Sequence, residues 1–134
     1  MKLKNTWKRI LLICFAAGLA VSAQAQRRGE EFLGEAHLDG GADHDLIRVT
    51  GSRGEFRAIQ FRVEGGAVEF DRVLVHYGNG GTQAVRMRSR IPAGGQTRAI
   101  DLPGNRRVIE SVELWYRKGS WRGSRPRVSL FGIR

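Results

Sequence analysis

The chain has 134 residues, a net charge of +10 and one cysteine, Cys14. That length is one domain's worth of sequence. A single cysteine excludes an internal disulfide framework and a multi-thiolate metal site.

The first element is a secretory signal. Lys2, Lys4, Lys8 and Arg9 form a positive start, Ile10 to Val21 an uncharged apolar run, and Ala23-Gln24-Ala25 a small-residue cleavage site. The run falls short of the about 20 residues that span a bilayer as a helix. Lys8-Arg9 is not an arginine pair, which argues against twin-arginine export. Ile13 stands before Cys14 where a lipoprotein signal needs a small residue, so Cys14 is read as one more hydrophobe. The expectation is Sec-type export to the periplasm or beyond, removal of residues 1–25, and a mature domain of residues 26–134. Cleavage takes four positive charges away and leaves +6 and no cysteine. Eighteen of the nineteen remaining cationic side chains are arginine, Lys118 being the exception. Arginine's planar fork suits carboxylate and phosphate. A plainer reading is codon bias with a solvated basic surface.

After a polar lead-in comes "HLDGGADHD", residues 37–45, with three aspartates, two histidines and two glycines. It reads as a turn whose Asp side chains cap backbone N–H groups. The alternative is calcium held by Asp39, Asp43 and Asp45, although the spacing is not that of an EF-hand. A weaker zinc reading uses His37, His44 and a carboxylate, with His76 as a further candidate. No other cofactor is implied.

Period-two alternation then replaces any helical pattern. "FRAIQFRV" puts Ile59, Phe61 and Val63 on one face and Ala58, Gln60 and Arg62 on the other. Gly65-Gly66 makes a hairpin turn. "VEFDRVLVHY" changes parity, since Val68 and Phe70 cannot share a face with Val73, Val75 and Tyr77 unless a bulge lies near Asp71-Arg72. Asn79-Gly80 starts the next hairpin. "AVRMRSRI" faces Val85, Met87, Ser89 and Ile91 one way and Arg86, Arg88 and Arg90 the other. Turns follow at Pro92–Gly95 and Pro103-Gly104. "VIESVELWY" groups Val108, Val112, Leu114 and Tyr116, leaving Trp115 outward. "RKGSWRGSRP", residues 117–126, is a loop, and "RVSLFGI" is the last strand. The fold expected is all-β, an antiparallel, jelly-roll-like β-sandwich of about eight strands.

"LGEAHLDGGADHDLIRV", "FRAIQFRV", "VHYGNG" and "AGGQTRAIDLPGNRRVIESVELWY" together resemble a family of small exported bacterial proteins known as a domain of unknown function. The resemblance runs from about Leu33 to the end of the chain. It implies a signal peptide and a compact β domain, and no activity or functional residue.

The arginine row is the most physical functional clue. Same-face residues on a strand stand about 6.8 Å apart, so three guanidinium groups form a linear positive stripe. It suits an anionic envelope polymer or glycan, with affinity that falls as salt rises. Nucleic acid is disfavoured, because no aromatic side chain interleaves the row for base stacking. The competing reading pairs the row with Glu69, Asp71, Glu110 or Glu113 across strands. Trp121, among cations, either stacks on a ligand or folds back as a lid on the sandwich. No nucleophile elbow or ordered triad points to an enzyme. Asp101 with Glu110 or Glu113 offers only a generic carboxylate pair for a small hydrolase. The expectation is a non-enzymatic binding module engaging its partner through Arg86, Arg88, Arg90 and Trp121.

Overall fold

The computed structural model describes residues 29–40, 43–51, 54–117, 121 and 124–134. The expected signal segment, residues 1–25, lies outside them, as do Lys118 and Arg122 of the 117–126 loop. Nine strands are present among the described residues: β1 Glu30–His37, β2 His44–Arg48, β3 Glu55–Phe56, β4 Ala58–Glu64, β5 Val68–Tyr77, β6 Thr82–Ile91, β7 Ile100–Asp101, β8 Arg107–Arg117 and β9 Arg127–Ile133. Among these residues no helix is long and apolar enough to cross a membrane.

Pairing is antiparallel and runs from the chain ends inward: β1 with β9, β2 with β8, β4 with β7, β5 with β6. Two sheets result. The first has the order β1-β9-β4-β7; the second has β2-β8-β5-β6, with β3 also pairing β8. This is the double-sheet arrangement of a jelly roll. The ninth strand, β3, is two residues long and too short to leave a periodicity signal.

Alternating residues of both sheets meet between them. Phe61 of β4 and Phe70 of β5 bridge the layers, ring centroids 5.9 Å apart, and both are fully buried. Leu33, Ile47, Val73, Val112, Leu114 and Leu130 complete the centre. Gly132 on β9 leaves its space to the Phe56 ring, which a Cβ there would strike.

Two irregularities decide which side chains face out. The register of β5 shifts between Phe70 and Arg72 against both β6 and β8. Phe70 and Val73 both point inward as a result, and Asp71 and Arg72 are exposed. The expected bulge is where the parity change placed it. The second irregularity corrects the sequence reading. Tyr77 pairs with Ile109 while His76 pairs with Ser111, so β8 carries an extra residue at Glu110. Ile109 is therefore buried, and Val108, expected inside, is 49% exposed.

Strand β4 departs from expectation as well. Ala58 and Gln60 were expected outward and are buried. Segment 94–97 runs along β4, with hydrogen bonds from Val63 N to Gly95 O and from Thr97 N to Phe61 O. Gln60 Nε2 donates to Thr97 O at 2.8 Å, while its buried Oε1 has no partner among the described residues.

Candidate functional site

Strand β6 is an outer strand of the five-stranded sheet, and Arg86, Arg88 and Arg90 are all exposed on it. Arg90 stands opposite Glu69 in register, and Glu69 lies 3.9 Å from Arg117. Arg86 stands opposite another cation, Arg72. The chain's thirteen acids all fall within the described residues, yet none forms an ion pair with Arg86, Arg88 or Arg90 there. Of the cross-strand pairing weighed for this row, only the juxtaposition of Arg90 with Glu69 is present, without an ion pair among the described residues.

A cleft of about 330 Å³ opens beside the row, between β6 and the segment leading to β7. Met87, Ile91 and Ile100 supply apolar lining, and Arg86, Arg88, Ser89, Gln96 and Arg98 supply polar lining. Arg98 is held in place by its neighbour. Thr97 is buried, its Oγ1 accepts from Phe61 N at 3.1 Å and donates to Arg98 O at 2.9 Å. Arg98 thereby joins Arg86 and Arg88 from the other sheet's side. Its run, "GGQTRAID", reads only as a turn, and nothing local in it marks a binding residue.

Behind the row, the outward face continues as Arg72, Trp115 and His44, which are direct cross-strand neighbours. The Arg72 guanidinium lies 4.1 Å from the Trp115 ring centre, and the His44 ring stacks 5.6 Å away at 13°. Trp115 faces outward as expected, but its ring is flanked from both neighbouring strands.

Trp121 takes the lid alternative. Its Nε1 donates to Ala67 O at 2.9 Å and its ring packs 5.9 Å from Tyr116, against the core. It is a closing residue at the end of the sandwich where β5 begins, not an open stacking surface. The indole N–H and the ring are engaged within the protein itself.

The aspartates do not gather as calcium ligands would. Asp45 accepts a 2.8 Å hydrogen bond from Tyr116 OH. Asp43 contacts His44 at 3.2 Å, and its backbone carbonyl accepts from Tyr116 N. Among the described residues no three His, Cys, Asp or Glu side chains form a metal-binding group. His37 lies beside Glu35 and His76 beside Glu113, apart from His44. Tyr116 shows what the acidic loop does. Burial raises its pKa first, followed by the hydrogen bond to Asp45 and the negative charges of Asp45, Asp39 and Asp43. The phenol stays protonated and ties β8 to the loop. Asp101 lies on the four-stranded sheet, and Glu110 and Glu113 lie on the five-stranded one.

A family model described as a domain of unknown function, DUF2541, matches residues 10–132. The chain belongs to that family. No curated protein sequence matches it. Among solved structures, the DUF2541 chain is similar to Pseudomonas aeruginosa AlgX, with a TM-score of 0.53 and 10% identity over 83% of this chain. It spans 27% of the AlgX chain's length. It is more distantly similar to the family 29 carbohydrate-binding module CBM29-2, with a TM-score of 0.37, 11% identity, and coverage of 81% of this chain and 82% of that one. At such identities the likeness concerns fold alone.

Proposed function

We propose that this DUF2541 protein is an exported, non-enzymatic binding module for an anionic cell-envelope polymer or glycan. The ligand lies along β6, with its acidic groups on Arg86, Arg88 and Arg90 and one unit in the cleft toward Arg98. The observation that supports this is that, among the described residues, these arginines have no carboxylate ion-pair partner and stand beside an open, mostly polar-rimmed cleft. Guanidinium groups left without protein anions retain their donors for a ligand's carboxylates or phosphates. Charge on an outer strand also discourages edge-to-edge pairing. That role needs no cleft and no second sheet's arginine. The reading rests on the arginines and not on the distant carbohydrate-binding neighbours.

The test is binding of the exported protein to a polyuronate and to a neutral glucan at several salt concentrations. The expected result is polyuronate binding that weakens as salt rises and is strongly weakened in Arg86→Ser/Arg88→Ser/Arg90→Ser. Equal affinity for the neutral glucan, or unchanged affinity in the triple variant, overturns it.

A further inference from the structure

A second basic cleft lies at the end of the sandwich opposite Trp121. Two turns meet there: the Tyr77-Gly78-Asn79-Gly80 turn between β5 and β6, and the Pro103-Gly104-Asn105-Arg106 turn that leads into β8. Their contact follows from the strand order, since β5 pairs with both β6 and β8. Gly78 N donates to Val108 O at 2.9 Å and ties the first turn to the start of β8, which the second turn leads into. The cleft between them measures about 380 Å³ and is lined by Tyr77, Gly78, Asn79, Arg106, Arg107 and Val108. That size lies within the range of small-ligand sites, roughly 300–1,000 Å³.

Arg107 is held rigidly in this cleft. Its guanidinium carbon sits 3.6 Å from the Tyr77 ring centre, and its Nη1 donates to Pro103 O at 3.2 Å. Tyr77 is fixed in turn, its hydroxyl donating to Gln83 Oε1 at 2.5 Å. The remaining guanidinium donors are therefore oriented before any ligand arrives, which spares the entropy of immobilising a long side chain on binding. Arg106 is exposed beside it. Neither arginine forms an ion pair with any of the chain's acids among the described residues. Asn79 uses its Oδ1 to accept Gly81 N at 2.9 Å, which turns its amide NH₂ away from the backbone partner as a donor. Gly80, at φ +88°, has open space where a side chain would stand, so nothing crowds the turn.

From this geometry we infer a second binding site, for a single acidic sugar unit. Its carboxylate pairs with the Arg107 and Arg106 guanidinium groups, and a ring hydroxyl accepts from the Asn79 amide. The site differs in kind from the β6 row: a row meets repeating charges along a polymer, whereas a cleft with one oriented fork holds one unit or a chain end. The inference takes its ligand class from the anionic-glycan reading, and its geometry stands apart from β6.

The experiment titrates the folded protein with glucuronate, glucose and inorganic phosphate, following the Asn79 side-chain amide and the Arg Nε–H signals by NMR. Glucuronate is expected to produce saturable shifts at Asn79 and Arg107, and glucose none. Arg107→Gln should weaken binding about tenfold or more, as loss of a charge-assisted bidentate pair implies. Asn79→Asp keeps the turn's acceptor, leaves the Tyr77 packing alone and places a like charge in the cleft. It should abolish binding even if Arg107→Gln fails to fold. In the Arg86→Ser/Arg88→Ser/Arg90→Ser variant the glucuronate-induced shifts at Asn79 and Arg107 should persist. Saturation by phosphate but not glucuronate overturns the sugar assignment. Absence of any shift, while polyuronate still binds the row, overturns this site alone. Loss of both overturns both readings.

Discussion

On the outer side of the four-stranded sheet, arginine and glutamate meet across strands. Arg62 pairs with Glu30 and also covers the Phe131 ring, Arg127 reaches Glu64 and Glu35, and Arg134 reaches Glu31. On the five-stranded sheet, Arg86 opposes Arg72, Arg72 covers Trp115, and Arg86, Arg88 and Arg90 have no carboxylate partner among the described residues. The residue types are alike, and register separates their roles. Where β9 brings arginine beside the glutamates of β1 and β4, the charges neutralise one another. Where the bulge at Asp71 turns Arg72 toward Arg86, the positive charge accumulates. A protein's surplus cations therefore mark a surface only after the pairs have been set aside.

The largest expected effect strikes both sheets at once. Phe61→Ala removes the ring that bridges them and should cost about 3–5 kcal/mol by urea unfolding. A loss under about 1 kcal/mol would mean the layers are not joined there. Next comes the row. Replacing Arg86, Arg88 and Arg90 with serine should weaken polyuronate binding by roughly 3 kcal/mol, about a hundredfold, taking about 1 kcal/mol per basic side chain near a polyanionic surface. The unfolding midpoint should barely move. Glu64→Gln on the other sheet is the mirror experiment. It removes one of the two carboxylates that face the Arg127 guanidinium and leaves Glu35, should change stability by less than about 1 kcal/mol, and should leave polyuronate affinity where it was. Increased binding at that face would show that pairing alone silences it.

Tyr116 offers a pH test of the acidic loop. Its folded pKa is raised above the ordinary value of 10, by burial first and the aspartates second. The protonated phenol is thus favoured by folding. Its contribution is complete below pH 10 and is lost as pH rises through 10 toward the folded value. The wild-type midpoint should fall between pH 9 and pH 11 more than that of Tyr116→Phe, which itself costs about 1 kcal/mol at neutral pH for the lost hydrogen bond. Equal slopes would remove Tyr116 from the account. The smallest expected effect is that of calcium. With Asp45 engaged by Tyr116, titrating calcium after chelation should leave the melting midpoint unchanged, and a rise that Asp43→Ala/Asp45→Ala abolishes would restore the metal reading.

Much of this was legible in the residues themselves. Alternation in β4, β5, β6 and β8, broken by Gly65-Gly66 and Asn79-Gly80, is a local property of the chain, and it determined the all-β class and the outward arginine row. The parity change in "VEFDRVLVHY" was likewise local, since a strand cannot bury both parities without a bulge. The tertiary structure decided what depends on distant partners. The extra residue at Glu110 is invisible in "VIESVELWY", because Val108 and Ile109 are equally apolar and only the pairing with Tyr77 chooses between them. Trp121 had two open roles until Ala67 O and Tyr116 took its N–H and its ring. Arg98 entered the cleft because Thr97 bonds to β4, far away in sequence. Arg107 met Tyr77 because β8 lies beside β5. Period and turn chemistry act over a few residues and can be read in order along the chain. Charge pairing, lids and clefts form between residues that only the folded chain brings together.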